Sequence, residues 1–162
     1  MVIYSQFNRT LQIMTEIKLQ TKIKAPIETV FNLSRNIDIH LLSTSQTNEK
    51  AVAGKTSGLI ELNETVTWKG KHFGIYLHHK SVISSMTFPS YFVDEMLESA
   101  FKSFKHKHHF SFENGFTIMN DEIYYETPFG IFGKLFDKTL LKKHLTVLIE
   151  KRNLIIKEIA ER

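Results

Sequence analysis

The residues that could do chemistry gather in one stretch. His106, His108 and His109 stand together in the run HKHH, and Asp121 follows after a turn. Imidazole can hold or release a proton near neutral pH, and a carboxylate beside it raises its basicity while burial opposes that rise. Glu64 and His72, earlier in the chain, are the other candidates. Whether any of these groups meet depends on the elements that carry them.

From Phe104 to Tyr125 the chain reads FKHKHHFSFENGFTIMNDEIYY. Two runs of aromatic and β-branched residues flank Asn114-Gly115, which suits a two-residue hairpin turn because both turn positions need positive φ. That turn sets Glu113 opposite Phe116 and fixes each earlier pair in step. One face then carries Phe112/Thr117, Phe110/Met119, His108/Asp121, His106/Ile123 and Phe104/Tyr125. The other carries Ser111/Ile118, His109/Asn120, Lys107/Glu122 and Lys105/Tyr124. His108 and Asp121 are thus cross-strand partners on an apolar face. Two readings stand for them: a satisfied polar pair that specifies register, or an acid/base pair or ligand anchor.

Register also bears on metal binding. Glu64, His72, His106, His108 and Asp121 would be donors enough for zinc, but His109 lies on the opposite face from His106 and His108, and HKHH matches no recognised metal spacing. The expectation is no metal and no cofactor.

The remaining elements follow from periodicity. Thr15 to Ile23 alternates as a half-buried strand. Ala25-Pro26 opens a helix through Val30, Phe31 and Ser34, and a second short turn covers Asp38 to Leu41. Strands are expected over Glu49–Ala53, Glu64–Lys69, Ile75–Ser84, Tyr91–Leu97, Phe101–Phe112 and Phe116–Glu126, with 70–74 as a bend. Val66 and Trp68 define the inner face of their strand, and parity places Glu64 inward with them. Asp94 has no clear orientation. Thr127-Pro128 opens a last helix, with an apolar stripe of Ile131, Leu135, Leu141, Leu145, Leu148, Ile149, Ile155, Ile156 and Ile159. A helix of about 30 residues spans roughly 45 Å, enough to cross a sheet. The fold class is α+β: a curved antiparallel sheet of about seven strands around a long C-terminal helix, with two short helices after the first strand. Residues 1–14 are expected to be an extension and residues 15–162 a single domain.

Bulk properties narrow the function. Hydrophobic residues make up 42% and charged residues 23%, as in ordinary globular chains. There is no cysteine, which excludes disulfides and thiolate sites and suits a cytoplasmic protein. The net charge of +4 is scattered among acids, so nucleic acid is not an expected partner. Lys102, Lys105, Lys107 and His109 read as a solvated sheet face. No stretch reaches the ~18 apolar residues of a membrane span.

The order of elements, with the segments APIETVF at 25–31, ETVTW at 64–68, HFG at 72–74, FVD at 92–94, HKH at 106–108, TIMND at 117–121 and PFG at 128–130, resembles the START/Bet v 1-like helix-grip superfamily, in particular its bacterial cyclase/dehydrase-like (SRPBCC) branch. The resemblance implies a cavity between sheet and helix, used across the superfamily for lipids, sterols, polyketides and hormones. No shared catalytic set can be carried over.

The expectation is therefore a binding protein for a small hydrophobic molecule. Its cavity would be lined by Glu64, Val66, Trp68, His72, Phe104, His106, His108, Phe110, Met119, Asp121, Ile123 and Tyr125, with Glu64, His108 and Asp121 orienting the polar end. A cyclase, dehydratase or hydrolase using His108 with Asp121 and Glu64 is the alternative. A protein-interaction module without a small ligand is the third, marked by a large exposed apolar patch. The sequence leaves the oligomeric state open.

Overall fold

The computed structural model describes residues 14–162; the expected N-terminal extension lies outside them, apart from Met14. The chain runs β1 (Thr15–Ile23), α1 (Ile27–Ser34), α2 (Ile37–Ser43), a 3₁₀ turn (Ser45–Thr47), β2 (Lys50–Gly54), β3 (Thr65–His72), β4 (Ile75–Thr87), β5 (Tyr91–Glu98), β6 (Ser103–Glu113), β7 (Phe116–Glu126), α3 (Gly130–Phe136), a π-helical turn (Asp137–Leu141) and α4 (Lys142–Ala160). All seven strands form one antiparallel sheet in the order β1-β7-β6-β5-β4-β3-β2.

The β6–β7 hairpin has the register its turn dictates. Asn114 and Gly115 both take positive φ, at 53° and 82°, and pairing runs from Glu113↔Phe116 to Ser103↔Glu126 with His108 opposite Asp121. Along β7 every second residue is buried: Thr117, Met119, Asp121, Ile123 and Tyr125. Register shifts in β2 and at two points of the β4–β5 ladder bend the sheet, since a bulge adds local twist. The curved face holds α4, whose C-terminal end is tied to β1 where Lys157 Nζ donates to the Lys22 carbonyl at 2.8 Å and Glu161 accepts from the Lys24 amide at 2.7 Å.

Two apolar clusters fill the ends of the grip. One centres on Phe31 of α1, whose ring meets Phe88, Phe92 and Phe110 edge-on at 5.2, 5.4 and 5.3 Å, with Trp68 and Ile156 in the same cluster. The other joins Ile17, Ile123, Tyr125 and Leu141. Between them the packing is incomplete.

Three local expectations need correction. β3 continues through His72, so 70–74 is not a bend; the turn is Phe73-Gly74, both at positive φ (51° and 85°). The last helix begins at Gly130, not Pro128, because Phe129 and Gly130 are left-handed (φ 67° and 54°). It is also not one uniform helix. The π turn inserts an extra residue and rotates the face that follows, so the buried stripe begins at Leu141, while Ile131 and Leu135 point to solvent.

Candidate functional site

Asp121 is the centre of a buried polar network. It projects inward from mid-β7 and is 1% exposed. Its Oδ1 accepts from His106 Nε2 at 2.8 Å. His108 Nδ1 is also 2.8 Å from Oδ1 but is not aligned as a good hydrogen bond. Oδ2 accepts from Asn153 Nδ2 of α4 at 2.7 Å, and Arg152 Nη1 lies 3.8 Å from Oδ1. Cross-strand register delivers His108, the next inward position of β6 delivers His106, and two consecutive buried positions of α4 deliver Arg152 and Asn153.

Electrostatics assigns the charge states. Burial pushes the Asp121 carboxyl up, but the hydrogen bond from His106 and the close approach of the His108 ring outweigh it and hold the group well below the usual carboxylate range. Burial, then the neighbouring His106, push His108 well below the ordinary histidine value, against the opposite pull of Asp121. The network therefore holds an anionic Asp121, a neutral His108 and the buried Arg152 cation. The Arg152 Nη2 group also donates to the Ser34 carbonyl at 2.6 Å, which ties α4 to α1. The His108 ring stacks on Phe92 with centroids 4.1 Å apart and packs on His106 at 3.8 Å.

His106, His108 and Asp121 also offer three ligand atoms within 4.8 Å of one another. Their chemistry does not suit a cation. Asp121 already accepts from Asn153 and faces Arg152, so a metal would sit beside a fixed positive charge in a low-dielectric wall.

Two cavities adjoin this wall. The larger, about 180 Å³, lies between the sheet and α4 and is walled by Phe101, Phe104, Leu141, Leu145, Leu148 and Ile149. The smaller, about 70 Å³, reaches Ser34, Ile37, Ile60 and Phe92. They share His40, Trp68, Asp94, His106, Ile149 and Arg152. Both far exceed the ~10–15 Å³ that a single water needs. One carboxylate oxygen at this junction, Asp94 Oδ1, is buried without a hydrogen-bond partner.

The other end of the larger cavity is bordered by histidines. His72 Nδ1 lies 3.0 Å from His144 Nε2, joining the end of β3 to α4. Burial lowers the pKa of both, and of His79 deeper in the cavity. Glu49, just ahead of β2, lies 3.5 Å from His40; burial pushes it up, yet the neighbouring His40 imidazole leaves it lowered overall. Gly70 leaves room for Glu49 and His72 beside it, since a Cβ there would lie 3.1 Å from His72 Nε2 and 3.5 Å from Glu49 Cγ.

Of the residues expected to line the cavity, Trp68, His72, Phe104 and His106 line the larger space, and Val66 and His108 the smaller. Asp121 stands behind them as their support. Phe110, Met119, Ile123 and Tyr125 lie in the packed clusters, not in a cavity wall. Tyr125 donates to Asp137 of the π turn. Glu64 does not point inward. It sits just before β3 at the surface, accepting from the Glu61 amide at 2.8 Å and facing Lys55 at 3.5 Å. Strand parity does not extend to a residue outside the strand.

Sequence reasoning did not single out Arg152, Asn153, Glu49, His40, His79 or His144. For Arg152 a signal existed: it falls four residues after Leu148 and four before Ile156, inside the apolar stripe. A charge at such a position is either an error of phase or a buried ion seeking a partner.

Comparison with solved structures defines the class of fold. The chain is similar to a protein from Thermus thermophilus (17% identity, TM-score 0.66, covering 88% of this chain and 97% of that one). It is similar to major latex-like protein 151 of Panax ginseng (14%, TM-score 0.66, 92% and 99%). It is also similar to a START superfamily protein from Mycobacterium smegmatis (9%, TM-score 0.67, 89% and 98%). The architecture is the helix-grip fold of the START and Bet v 1-like proteins. No family model and no curated protein matches the sequence.

Proposed function

We propose that this protein binds one small amphiphile, its apolar body in the larger cavity and its polar end at the junction with the smaller one. The observation that carries this reading is Asp94 Oδ1, a buried acceptor without a hydrogen-bond partner where the two cavities meet. An orphaned acceptor is costly in a protein at rest, and a ligand that donates to it relieves that cost. Asp94 beside Arg152 suits a neutral head that both donates and accepts, such as an alcohol or amide. Binding of hydrophobic molecules by proteins of this fold supports the reading at the level of class.

Asp94 and Arg152 take the orienting role that parity had suggested for Glu64. The His106–His108–Asp121 network supports the wall. Acid/base catalysis by His108 is less well supported, because a group held well below neutral pH is a weak base and is not protonated to act as an acid.

The test is native mass spectrometry of the purified chain, followed by solvent extraction. A stoichiometric adduct present in the wild type and absent from Leu148→Trp, which fills the cavity, is the expected result. An adduct unaffected by Leu148→Trp would place the ligand elsewhere and end this reading.

A further inference from the structure

We infer that the end of the molecule built from α3 and the β3–β4 turn is a docking surface for an anionic lipid membrane, arranged around the mouth of the cavity. Phe129 is 84% exposed and Phe132 79%; Ile131, Leu135 and Leu140 in the same stretch are exposed as well. Phe73, Ile75 and Tyr76 of the facing turn are exposed too, and the Phe73 ring meets Phe136 at 5.1 Å, which makes the two protrusions one surface. Contiguous apolar exposure of this kind marks an interaction site.

The local backbone is built to present these side chains. Phe129 takes a left-handed conformation (φ 67°) that a bulky residue seldom adopts, and its exposed ring recovers nothing by packing. Gly133 sits so close to the preceding segment that a Cβ would lie 1.8 Å from the Pro128 carbonyl oxygen. That contact seats α3 by its smallest residue and turns its large ones outward. The π turn then puts Ile131, Phe132 and Leu135 out of phase with the stripe that α4 buries.

Charge names the occupant. Between Glu126 and Glu150 the chain carries Lys134, Lys138, Lys142 and Lys143 against Asp137 alone. Those lysines are exposed, whereas Asp137 is buried and accepts from Thr15 and Tyr125. Lys69 and Lys71 are exposed on β3 beside the second protrusion. An apolar centre with a basic rim complements acyl chains under anionic headgroups. A second copy of the same surface would set lysines against lysines. The docking is peripheral, since among the described residues no helix is long and apolar enough to cross a membrane.

The surface also lies where a ligand would enter. His72, Phe73, Leu141 and His144 line the larger cavity, and Phe73 is half exposed, so the cavity reaches solvent at this end. The docking inference rests on the surface alone and holds whatever the cavity takes.

Vesicle flotation of the full chain tests it, using phosphatidylcholine alone and phosphatidylcholine mixed with phosphatidylglycerol. The chain is expected to float with the mixed vesicles, to bind them roughly tenfold less in Phe129→Asp/Phe132→Asp and in Lys138→Glu/Lys142→Glu, and to be released by salt. These side chains lie outside the core, so thermal unfolding of the variants should match the wild type. Failure to float, or unchanged binding by both variants, would overturn the inference. So would a photo-crosslinker at Phe129 (Phe129→benzoylphenylalanine) that captures residues 1–13 or a second copy in the presence of mixed vesicles.

Discussion

Arg152 Nη1 lies 3.8 Å from Asp121 Oδ1, and this near-contact between α4 and β7 crosses the protein where the sheet closes on its helix. Both groups are almost fully buried, and each has further partners: Asn153 and the histidines for Asp121, the Ser34 carbonyl for Arg152. Removing one ion strands the other in a low-dielectric wall, and that loss exceeds the net worth of the pair.

Asp121→Asn is therefore expected to destabilise the fold by about 3 kcal/mol, within the range for breaking a buried ion pair. Asp121→Asn/Arg152→Met should cost less than the sum of the two single changes, because no lone charge is then left behind. Urea denaturation of the four proteins measures the coupling. Strict additivity would mean the two groups do not sense each other.

Acidification should weaken the protein from about pH 6.5 downward. His108 is held neutral in the fold by burial and by His106, so below the ordinary histidine pKa of about 6.5 the unfolded chain binds a proton that the folded chain refuses. Stability is fully present above that value and is lost as pH falls toward the depressed folded pKa, by up to about 1.4 kcal/mol per pH unit for this one group. Asp121, whose folded pKa is also depressed, adds a second loss beginning below about pH 4. His108→Gln should flatten the upper part of the profile, and a profile as steep as wild type between pH 6.5 and 5 would contradict the assignment.

Asp94→Leu should impair binding, because it removes the acceptor at the junction of the two cavities. In the unliganded protein two effects oppose each other: an oxygen without a hydrogen-bond partner is lost, but so is a carboxylate whose charge supports buried Arg152 and His79. The resting stability is therefore expected to change by no more than about 1 kcal/mol. Thermal unfolding with and without dodecanol separates stability from binding: the variant should gain less from the alcohol than the wild type. A variant that gains as much as the wild type would show that Asp94 does not orient the ligand.

Gly133→Ala should be unusually costly for a helix position, where alanine normally helps. Its Cβ would meet the Pro128 carbonyl at 1.8 Å, and backbone must move to make room. A loss of about 1–3 kcal/mol is expected from such overpacking, readable as a lower melting temperature. A neutral or stabilising outcome would mean that α3 does not rest on this segment.

The hairpin was legible because Asn114-Gly115 admits one turn, and one turn admits one register. From there His108 opposite Asp121 followed without any tertiary information. His106 as the aligned donor to Asp121 did not, because a cross-strand diagonal depends on twist and rotamer. Glu64 misled because parity was extended one residue past the strand. Asp94 could not be oriented since Phe92 and Val93 are both buried, which leaves β5 without an alternating pattern. The helix stripe was right from Leu141 onward and wrong before it. A π turn shifts phase by one residue, and the composition of Asp137–Leu141 does not announce it. Arg152 was visible as a charge inside the stripe, but its partner lies on β7, a distance along the chain that no local pattern spans.

The central claim is that the space between the sheet and α4 takes an apolar chain. Methyl-labelled NMR of the wild type titrated with dodecanol tests it most directly, with Leu148→Trp as the filled control. The account predicts saturable shifts and ligand contacts at Leu145, Leu148 and Ile149, with Leu145 and Ile149 silent in the filled variant. Shifts confined to Ile131, Leu135 and Leu140 on the outer surface, or none at all, would contradict it.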